Sequence, residues 1–258
     1  MSTSREDLSA RTIPFMELSD GTSLSMTAPP RPVSNGPAKR FEIAGNAIVT
    51  GGSGALGLAA LSALRLQLRG PRDRITFPPD GLPNREDHRT GPRCDGRDSD
   101  RVRSGNTIHT LGDINILLCF AGVVGCTHAL EMSAPEWRRT LDINATESLL
   151  CAQAVAKRMV VAGTGGSIVL TASFSAHRVN YPQPQAAYNV NKAAVVALKS
   201  SLAAEWARFG IRVNSVSPGY MDTILNEGEG LAEARGIWAS RNPMGRMGVP
   251  VELTGAVT

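Results

Sequence analysis

Short apolar runs alternate with helix-forming stretches along most of this chain, and this alternation limits the possible folds more than any other feature. Apolar runs occupy residues 47–49, 114–120, 167–173 and 211–216, and helical patterns occupy residues 58–68, 135–161 and 184–209. Strands that alternate with helices pair in parallel, because each helix carries the chain back across the sheet. We therefore expect an α/β fold, a single domain built on a doubly wound parallel sheet. Ser133 and Gly210 are the expected caps that begin the second helix and end the third.

A glycine-rich turn, Thr-Gly-Gly-Ser-Gly-Ala-Leu-Gly at residues 50–57, joins the first strand to the first helix. Glycines let the backbone turn tightly and approach a pyrophosphate, which the positive end of the helix attracts. A P-loop fits less well, because the turn lacks the Gly-Lys-Ser/Thr ending. Segment 51–55 comes close to the Gly-x-Ser-x-Gly elbow of hydrolases, but the later motifs do not follow a Ser, Asp, His order. The turn therefore predicts a dinucleotide site.

Tyr188 and Lys192 lie four residues apart in the predicted helix 184–209, so they share one face of that helix. A free tyrosine has a pKa of about 10 and exchanges protons poorly near neutral pH. A nearby ammonium favours the phenolate, so we expect Lys192 to lower the pKa of Tyr188. The pair is a candidate general acid/base for an alcohol or ketone. Tyrosine and lysine at this spacing are also common on ordinary helix surfaces, so the other motifs must decide.

Two parts of the chain do not fit the strand and helix pattern. Residues 1–40 are rich in Ser, Thr and Pro, so we expect a disordered N-terminal tail ahead of a domain at 46–258. At 70–107, Arg, Asp, Gly and Pro replace the second strand of an α/β unit, and residues 75–77 are its only remnant. We therefore expect an irregular, insert-like segment and a poorly formed second strand.

Composition and charge narrow the classes of partner. The net charge is +4, but the arginines crowd between residues 65 and 103 without aromatics that stack on bases, so no nucleic-acid partner is expected. The chain has no apolar stretch long enough for a membrane span and no signal-peptide pattern, which favours a cytoplasmic protein with no membrane partner. The four cysteines lack the spacing of metal ligands, so no metal is expected.

In combination, these motifs resemble the short-chain dehydrogenase/reductase family, which implies a Rossmann-like sheet and a set of four catalytic residues. Tyr188 and Lys192 match the family's Tyr-x-x-x-Lys pair. Ser173 resembles the catalytic serine, and it is preferred to Ser175 because it directly follows an apolar strand, at the edge where ligands bind. Asn144 resembles the helix asparagine that holds a water of the family's proton relay.

The resemblance also implies a cofactor site, and NADP is the expected cofactor with NAD possible, because the second strand that would discriminate them is not legible. Ala55 stands where the family usually has a glycine, and Cys119 and Phe120 stand where it has two asparagines. The Asp95 assignment rests on its likeness to the third-strand aspartate beside the adenine. The expected cofactor-binding residues are Thr50, Gly51, Ser53, Leu56, Gly57, Asp95, Ala121, Gly122, Tyr188, Lys192, Pro218, Gly219, Met221 and Thr223.

The segments 173–177 and 179–185 are similar to fungal reductases of polyols and ketoses such as sorbose and arabinitol. The resemblance implies hydride transfer between NADP(H) and a secondary alcohol or ketone, which is a polyol, a ketose or an intermediate of secondary metabolism. His177 is expected in a loop near the substrate entrance. The alternatives are an inactive cofactor-binding relative and a damaged, non-functional chain.

The family continues beyond the position where this chain stops, Thr258, with another helix and a final strand. That strand flanks the run at 211–216 and usually joins the dimer interface. We therefore expect a sheet without its last strand. A homo-oligomer is usual for the family but doubtful here, because one sheet edge would be left bare.

Overall fold

The structure is a computed structural model that describes residues 43, 45–68, 75–76 and 113–257. Within these residues, five strands form one parallel sheet in the order β2-β1-β3-β4-β5. The strands are β1 (Asn46–Thr50), β2 (Ile75–Thr76), β3 (Ile114–Cys119), β4 (Gly166–Thr171) and β5 (Ile211–Val216). The helices are α1 (Ala55–Gln67), α2 (Ala134–Leu141), α3 (Glu147–Ala162), α4 (Ala186–Trp206), α5 (Ala232–Ser240) and α6 (Thr254–Val257).

Helices cover both faces of this sheet. In β1, Ala47 and Val49 belong to a buried cluster with Leu61 and Leu64 of α1. Ile48 belongs to a second buried cluster, on the other face, with residues of α3 and α4. Successive side chains of a strand point to opposite faces, so a strand covered on both sides must be apolar throughout. The predicted α/β fold with a doubly wound, Rossmann-like parallel sheet is confirmed.

The second strand is as short as the sequence indicates. β2 has two residues, and Ile75 and Thr76 pair with Ala47 and Ile48 of β1. β2 and β5 are the edge strands of the described sheet. The predicted tail at 1–40 and the rest of the 70–107 segment lie outside the described residues, and so does Asp95.

Both predicted helix caps are present. The Ser133 hydroxyl accepts a hydrogen bond from the Glu136 N–H (3.3 Å), which satisfies one of the free donors at the start of α2. Helix α4 ends in a 3₁₀ turn at Ala207–Phe209, and Gly210 follows with a φ of +69°. This left-handed conformation favours glycine and ends the helix before β5.

The sequence predicts one continuous helix over 135–161, and the structure differs at its centre. A π turn at Asp142–Thr146 separates α2 from α3. Its wider turn places two adjacent side chains, Ile143 and Asn144, in the interior. Asn144 forms tertiary hydrogen bonds in this position, and such contacts override the local helical pattern. The π turn therefore directs a polar side chain to the carboxyl end of β3.

Candidate active site

The glycine turn between β1 and α1 packs closely against itself and against the chain after β3. Gly51 has a φ of +65°, and a Cβ there would lie 2.6 Å from the carbonyl carbon of Phe120. A Cβ on Gly57 would clash with the Gly51 carbonyl and lie 2.8 Å from the Gly52 Cα. Glycine is therefore required at both positions. The Phe120 N–H donates to the Thr50 carbonyl (3.0 Å), which fixes the turn beside the end of β3.

The first turn of α1 is open to an anion. Gly54 is the N-cap, no side chain caps the helix, and the first turn contains no acidic residue. The free N–H groups and the helix dipole attract a phosphate, and the glycines leave room for it to approach. Leu56 and Ser53 are half-buried in this turn, and Thr50 is buried. These residues fit a dinucleotide pyrophosphate.

The chain after β3 brings two predicted catalytic residues to one point. A Cβ on Gly122 would lie 2.8 Å from the Asn144 Oδ1 and 3.6 Å from the Lys192 Nζ. Ala121, which precedes it, lies against Gly51 of the glycine turn. The small residues at 121 and 122 therefore leave a surface at the carboxyl edge of the sheet, between the glycine turn and Lys192, on which a cofactor fits.

Asn144 is buried, and its side chain is fully engaged with backbone groups. Its Oδ1 accepts from the Val123 N–H (3.0 Å), and its Nδ2 donates to the Val123 carbonyl (3.0 Å) and the Thr140 carbonyl (3.1 Å). The backbone carbonyl of Asn144 accepts from the Ser148 hydroxyl (2.7 Å). In this structure Asn144 therefore fastens the loop after β3 to the π turn.

Ser173 and Tyr188 lie side by side. Ser173 is buried directly after β4, and its hydroxyl is close enough to the phenol to affect the pKa of Tyr188. Its hydroxyl also donates to the Ser175 hydroxyl (2.9 Å) and accepts from the Ser175 N–H (3.2 Å). Both candidate serines are thus in one network, and Ser173 is the one in contact with the phenol.

Lys192 is buried beneath Tyr188. Its Nζ donates to the Thr171 carbonyl at the end of β4 (2.8 Å) and lies 5.5 Å from the centre of the Tyr188 ring. Burial lowers the pKa of Lys192 to about 8, because desolvation disfavours the ammonium. The ammonium is therefore held by a backbone acceptor and the ring face.

The pKa of Tyr188 shifts in the direction opposite to the one that its spacing from Lys192 predicts. Burial raises this pKa, and the neighbouring Ser173 hydroxyl lowers it by a smaller amount. The expectation that Lys192 lowers it is therefore wrong for the protein without cofactor. Desolvation of the phenolate outweighs the attraction of an ammonium that contacts the ring face. Tyr188 is a neutral phenol near pH 7.

The loop that follows β5 is held in place by three backbone hydrogen bonds. The Phe174 N–H donates to the Pro218 carbonyl (3.0 Å), which ties the loop to the residue after Ser173. The Gly248 N–H donates to the Tyr220 carbonyl (2.9 Å), and the Asp222 N–H donates to the Gly248 carbonyl (2.7 Å). This loop carries the predicted cofactor residues Pro218, Gly219, Met221 and Thr223. Because β1 and β5 are parallel, the glycine turn and this loop lie at the same edge of the sheet, separated by the ends of β3 and β4.

Several contributors to the site have no sequence signature. The Thr171 carbonyl that holds Lys192 and the Val123 backbone that holds Asn144 act through atoms that every residue has. Ser175 has a partial signal, because it lies two residues after Ser173. His177 is exposed, and its Nε2 lies 3.1 Å from the Ser217 hydroxyl.

Within the described parts of the chain, no helix is both long and apolar enough to cross a membrane. The same residues contain no group of three or more His, Cys, Asp or Glu side chains that could hold a metal ion.

A family model described as enoyl-(acyl carrier protein) reductase matches residues 89–258. The chain is 40% identical over 149 residues to the NADP-dependent mannitol dehydrogenase of Hypocrea jecorina, covering 58% of this chain and 55% of that protein. It is 39% identical over 145 residues to the ribulose-forming D-arabinitol 2-dehydrogenase of Candida tropicalis, covering 55% and 51%. The chain thus spans about half the length of these curated relatives.

A solved structure shows a longer match. A short-chain type dehydrogenase/reductase from Mycobacterium marinum superposes with a TM-score of 0.72 at 34% identity. The match covers 85% of this chain and 89% of that one. This coverage, with the family model, shows that the chain belongs to the short-chain dehydrogenase/reductase family.

Proposed function

We propose that this chain is an NADP-dependent oxidoreductase that interconverts a secondary alcohol and a ketone, with a polyol or ketose as substrate. The observation that carries the proposal is the placement of the Ser173 hydroxyl beside Tyr188, with the Tyr188 ring next to the buried Lys192, at the edge of the sheet beside Gly122. A phenol, a hydroxyl and an ammonium in this order are the groups that polarise and protonate a carbonyl.

The nicotinamide cofactor, when bound, supplies or accepts the hydride. Residues of the glycine turn, Gly51 and Gly57, leave the space for its pyrophosphate at the start of α1. Ala121 and Gly122 leave the surface on which the nicotinamide half fits, next to Lys192. The residues on the loop after β5 close this surface from the other side: Pro218, Gly219, Met221 and Thr223.

Tyr188 donates the proton in the reducing direction. Burial keeps the phenol neutral near pH 7, so its proton is available to a carbonyl oxygen that gains negative charge. Ser173 donates a second hydrogen bond to that oxygen, and for this its hydroxyl turns away from Ser175. Lys192 supplies a positive charge beneath the ring, which stabilises the phenolate that remains after the transfer.

The relatives support the choice of NADP and of a sugar alcohol. Their printed names include NADP-dependent mannitol dehydrogenase, D-arabinitol 2-dehydrogenase and sorbose reductase. We also propose that the domain extends over residues 46–258 and that the protein is cytoplasmic. Asn144 is proposed to take part in a proton relay. A small-molecule alcohol or ketone is the partner that the site accommodates.

The test is a turnover assay with the purified full chain. NADPH or NADH is combined with fructose, ribulose or sorbose, and NADP⁺ or NAD⁺ with mannitol, arabinitol or galactitol, while absorbance of the reduced cofactor is followed. We expect turnover with NADPH and at least one ketose. Cofactor binding without turnover on the whole panel would favour an inactive relative, and a chain without a cooperative thermal melt would favour a damaged one. Either result contradicts the proposal.

A further inference from the structure

A cluster of polar and aromatic side chains lies beside the Ser173–Tyr188 pair, and we call the three residues at its centre, Gln183, Tyr220 and Trp238, the Tyr220 cluster. The Tyr220 hydroxyl accepts from the Gln183 Nε2 (3.1 Å) and the Asn180 Nδ2 (3.3 Å), and it donates to the Tyr181 carbonyl (3.4 Å). Gln183 is engaged at its other end as well, because its Oε1 accepts from the Trp238 Nε1 (3.1 Å). The hydroxyl of Tyr220 thus has two donors and one acceptor.

The rings of the cluster are stacked. Tyr220 and Trp238 lie nearly parallel, with ring centroids 4.5 Å apart and an interplanar angle of 10°. Tyr220 also contacts the Phe174 ring, with ring centroids 4.8 Å apart and an interplanar angle of 58°. Trp238 is 5% exposed, so the stack excludes solvent at its inner end. Aromatic pairs with this spacing stabilise the positions of the segments that carry them.

Each ring or amide belongs to a different part of the candidate site. Phe174 follows Ser173 directly, and Gln183 lies in the segment that leads into α4 and Tyr188. Tyr220 directly precedes Met221 in the loop after β5, and Trp238 lies on α5. Tyr220 therefore joins the segments that carry Ser173 and Tyr188, the loop after β5, and α5.

A second contact supports the same arrangement from the outer side. Arg235 of α5 binds the Asp222 carboxylate (Nη2–Oδ1, 2.8 Å) and the Asn226 carbonyl (Nη1–O, 2.7 Å). Asp222 and Asn226 flank Thr223 in the loop after β5. Because this ion pair is partly exposed, it contributes less than the buried stack. Helix α5 and the loop are nevertheless fastened to each other at two points.

We propose that Tyr220 is a positioning residue: its hydroxyl holds the predicted cofactor loop against the segment that leads into Tyr188, and its ring holds α5 through the stack on Trp238. This inference rests on the proposed function, since it concerns the order of that same site. A loop held in this way presents Met221 and Thr223 in one geometry, so ligands bind without first ordering it. Tyr220 acts through the loop and does not touch the reacting atoms.

The test compares Tyr220→Phe with two other variants. Tyr220→Phe keeps the ring stack and removes the three hydrogen bonds of the hydroxyl. Trp238→Phe keeps an aromatic ring and removes the N–H that binds Gln183. Tyr181→Phe is the matched control, because the Tyr181 ring is exposed and stacks on Arg241, while its backbone carbonyl is retained. Measurements are amide hydrogen exchange without ligand, NADPH affinity by fluorescence, and KM and kcat with the ketose that the wild type reduces.

For Tyr220→Phe we expect faster exchange in segments 180–185 and 218–226, by at least about fivefold, because the net loss of one hydrogen bond has about that effect and the variant loses three. NADPH dissociation and ketose KM should rise by a similar factor, while kcat stays within about threefold, since Tyr188 and Ser173 are retained. Trp238→Phe should give a smaller change of the same kind, and Tyr181→Phe none. These are the effects of a positioning role, because loss of global stability alone would not raise KM selectively.

The outcomes for this inference and for the proposed function are separable. If Tyr220→Phe leaves the exchange of both segments unchanged, the positioning role is wrong, whatever the activity of the wild type. If the wild type is active and Tyr220→Phe has the same KM and kcat as the wild type, the positioning role is equally wrong. If the wild type shows no turnover but Tyr220→Phe speeds exchange and weakens NADPH binding, the proposed function fails and the positioning role stands.

Discussion

Replacing Lys192 with Met removes a buried ammonium while keeping a side chain of similar length. Among the described residues, the Lys192 Nζ donates to the Thr171 carbonyl at 2.8 Å and contacts the face of the Tyr188 ring. Burial lowers its pKa from 10.5 to about 8, so the folded protein bears the cost of desolvating the charge. We expect Lys192→Met to be more stable than the wild type near neutral pH when no cofactor is bound.

The magnitude and the pH dependence follow from this pKa. Below pH 8 the lysine is charged in both the folded and the unfolded protein, and the desolvation cost, about 3 kcal/mol, is fully present. Between the folded and unfolded pKa values, the unfolded chain binds more protons, so the free energy of unfolding of the wild type rises with pH. From about pH 7 to about pH 9.5 this rise should be about 2 kcal/mol.

The assay is urea-induced unfolding, followed by circular dichroism at a series of pH values. The Met variant lacks the titrating group, so its advantage over the wild type should shrink by about 2 kcal/mol across that pH range. Loss of the bond to Thr171 and changes in packing contribute equally at every pH and therefore cancel in the slope. Lys199→Met, on the same helix, controls for the loss of one positive charge. A stability difference between Lys192→Met and the wild type that is constant with pH would show that burial does not lower the pKa of Lys192.

Three further variants test other parts of the site. Gly57→Ala should weaken NADPH binding at least tenfold, because its Cβ would clash with the Gly51 carbonyl. Fluorescence titration measures the NADPH affinity. Gly236→Ala should leave this affinity unchanged, because a Cβ there would have nothing within 4 Å. Asn144→Ala should lower the free energy of unfolding by about 2–3 kcal/mol, since it leaves one buried N–H and two carbonyls without their side-chain partner; equal stability in urea would contradict this. Ser173→Ala should lower kcat on the order of a hundredfold with little change in NADPH affinity; an unchanged kcat would remove it from the site.

The fold is predictable from this sequence because its signals are local and repeated. The apolar runs that become β3 and β4 are buried on both faces, whereas buried and exposed residues alternate at the start of β5. The caps at Ser133 and Gly210 act on neighbouring backbone atoms. The same rules place β2 only as a short remnant at 75–77, since the two residues that pair with β1 lie in a stretch with few other apolar side chains. Short parallel strands depend on the neighbouring strand more than on their own sequence.

The site is predictable in its residue types and less so in its energetics. The spacing of Tyr188 and Lys192 correctly places them close together, but it does not reveal that the ammonium contacts the ring face and a backbone carbonyl. The direction of the Tyr188 pKa depends on burial, which is a property of the folded protein as a whole. The π turn around Asn144 is likewise set by a partner, Val123, that lies far along the chain.

The central claim is that the phenol of Tyr188 transfers a proton to the substrate beside a bound NADPH. The most direct measurement is kcat and NADPH affinity of Tyr188→Phe against the wild type, in the same preparation and with the same ketose. If Tyr188 transfers the proton, kcat should fall at least about a thousandfold, while NADPH binds with nearly the wild-type affinity. A Phe variant that turns over at a rate near that of the wild type would contradict it.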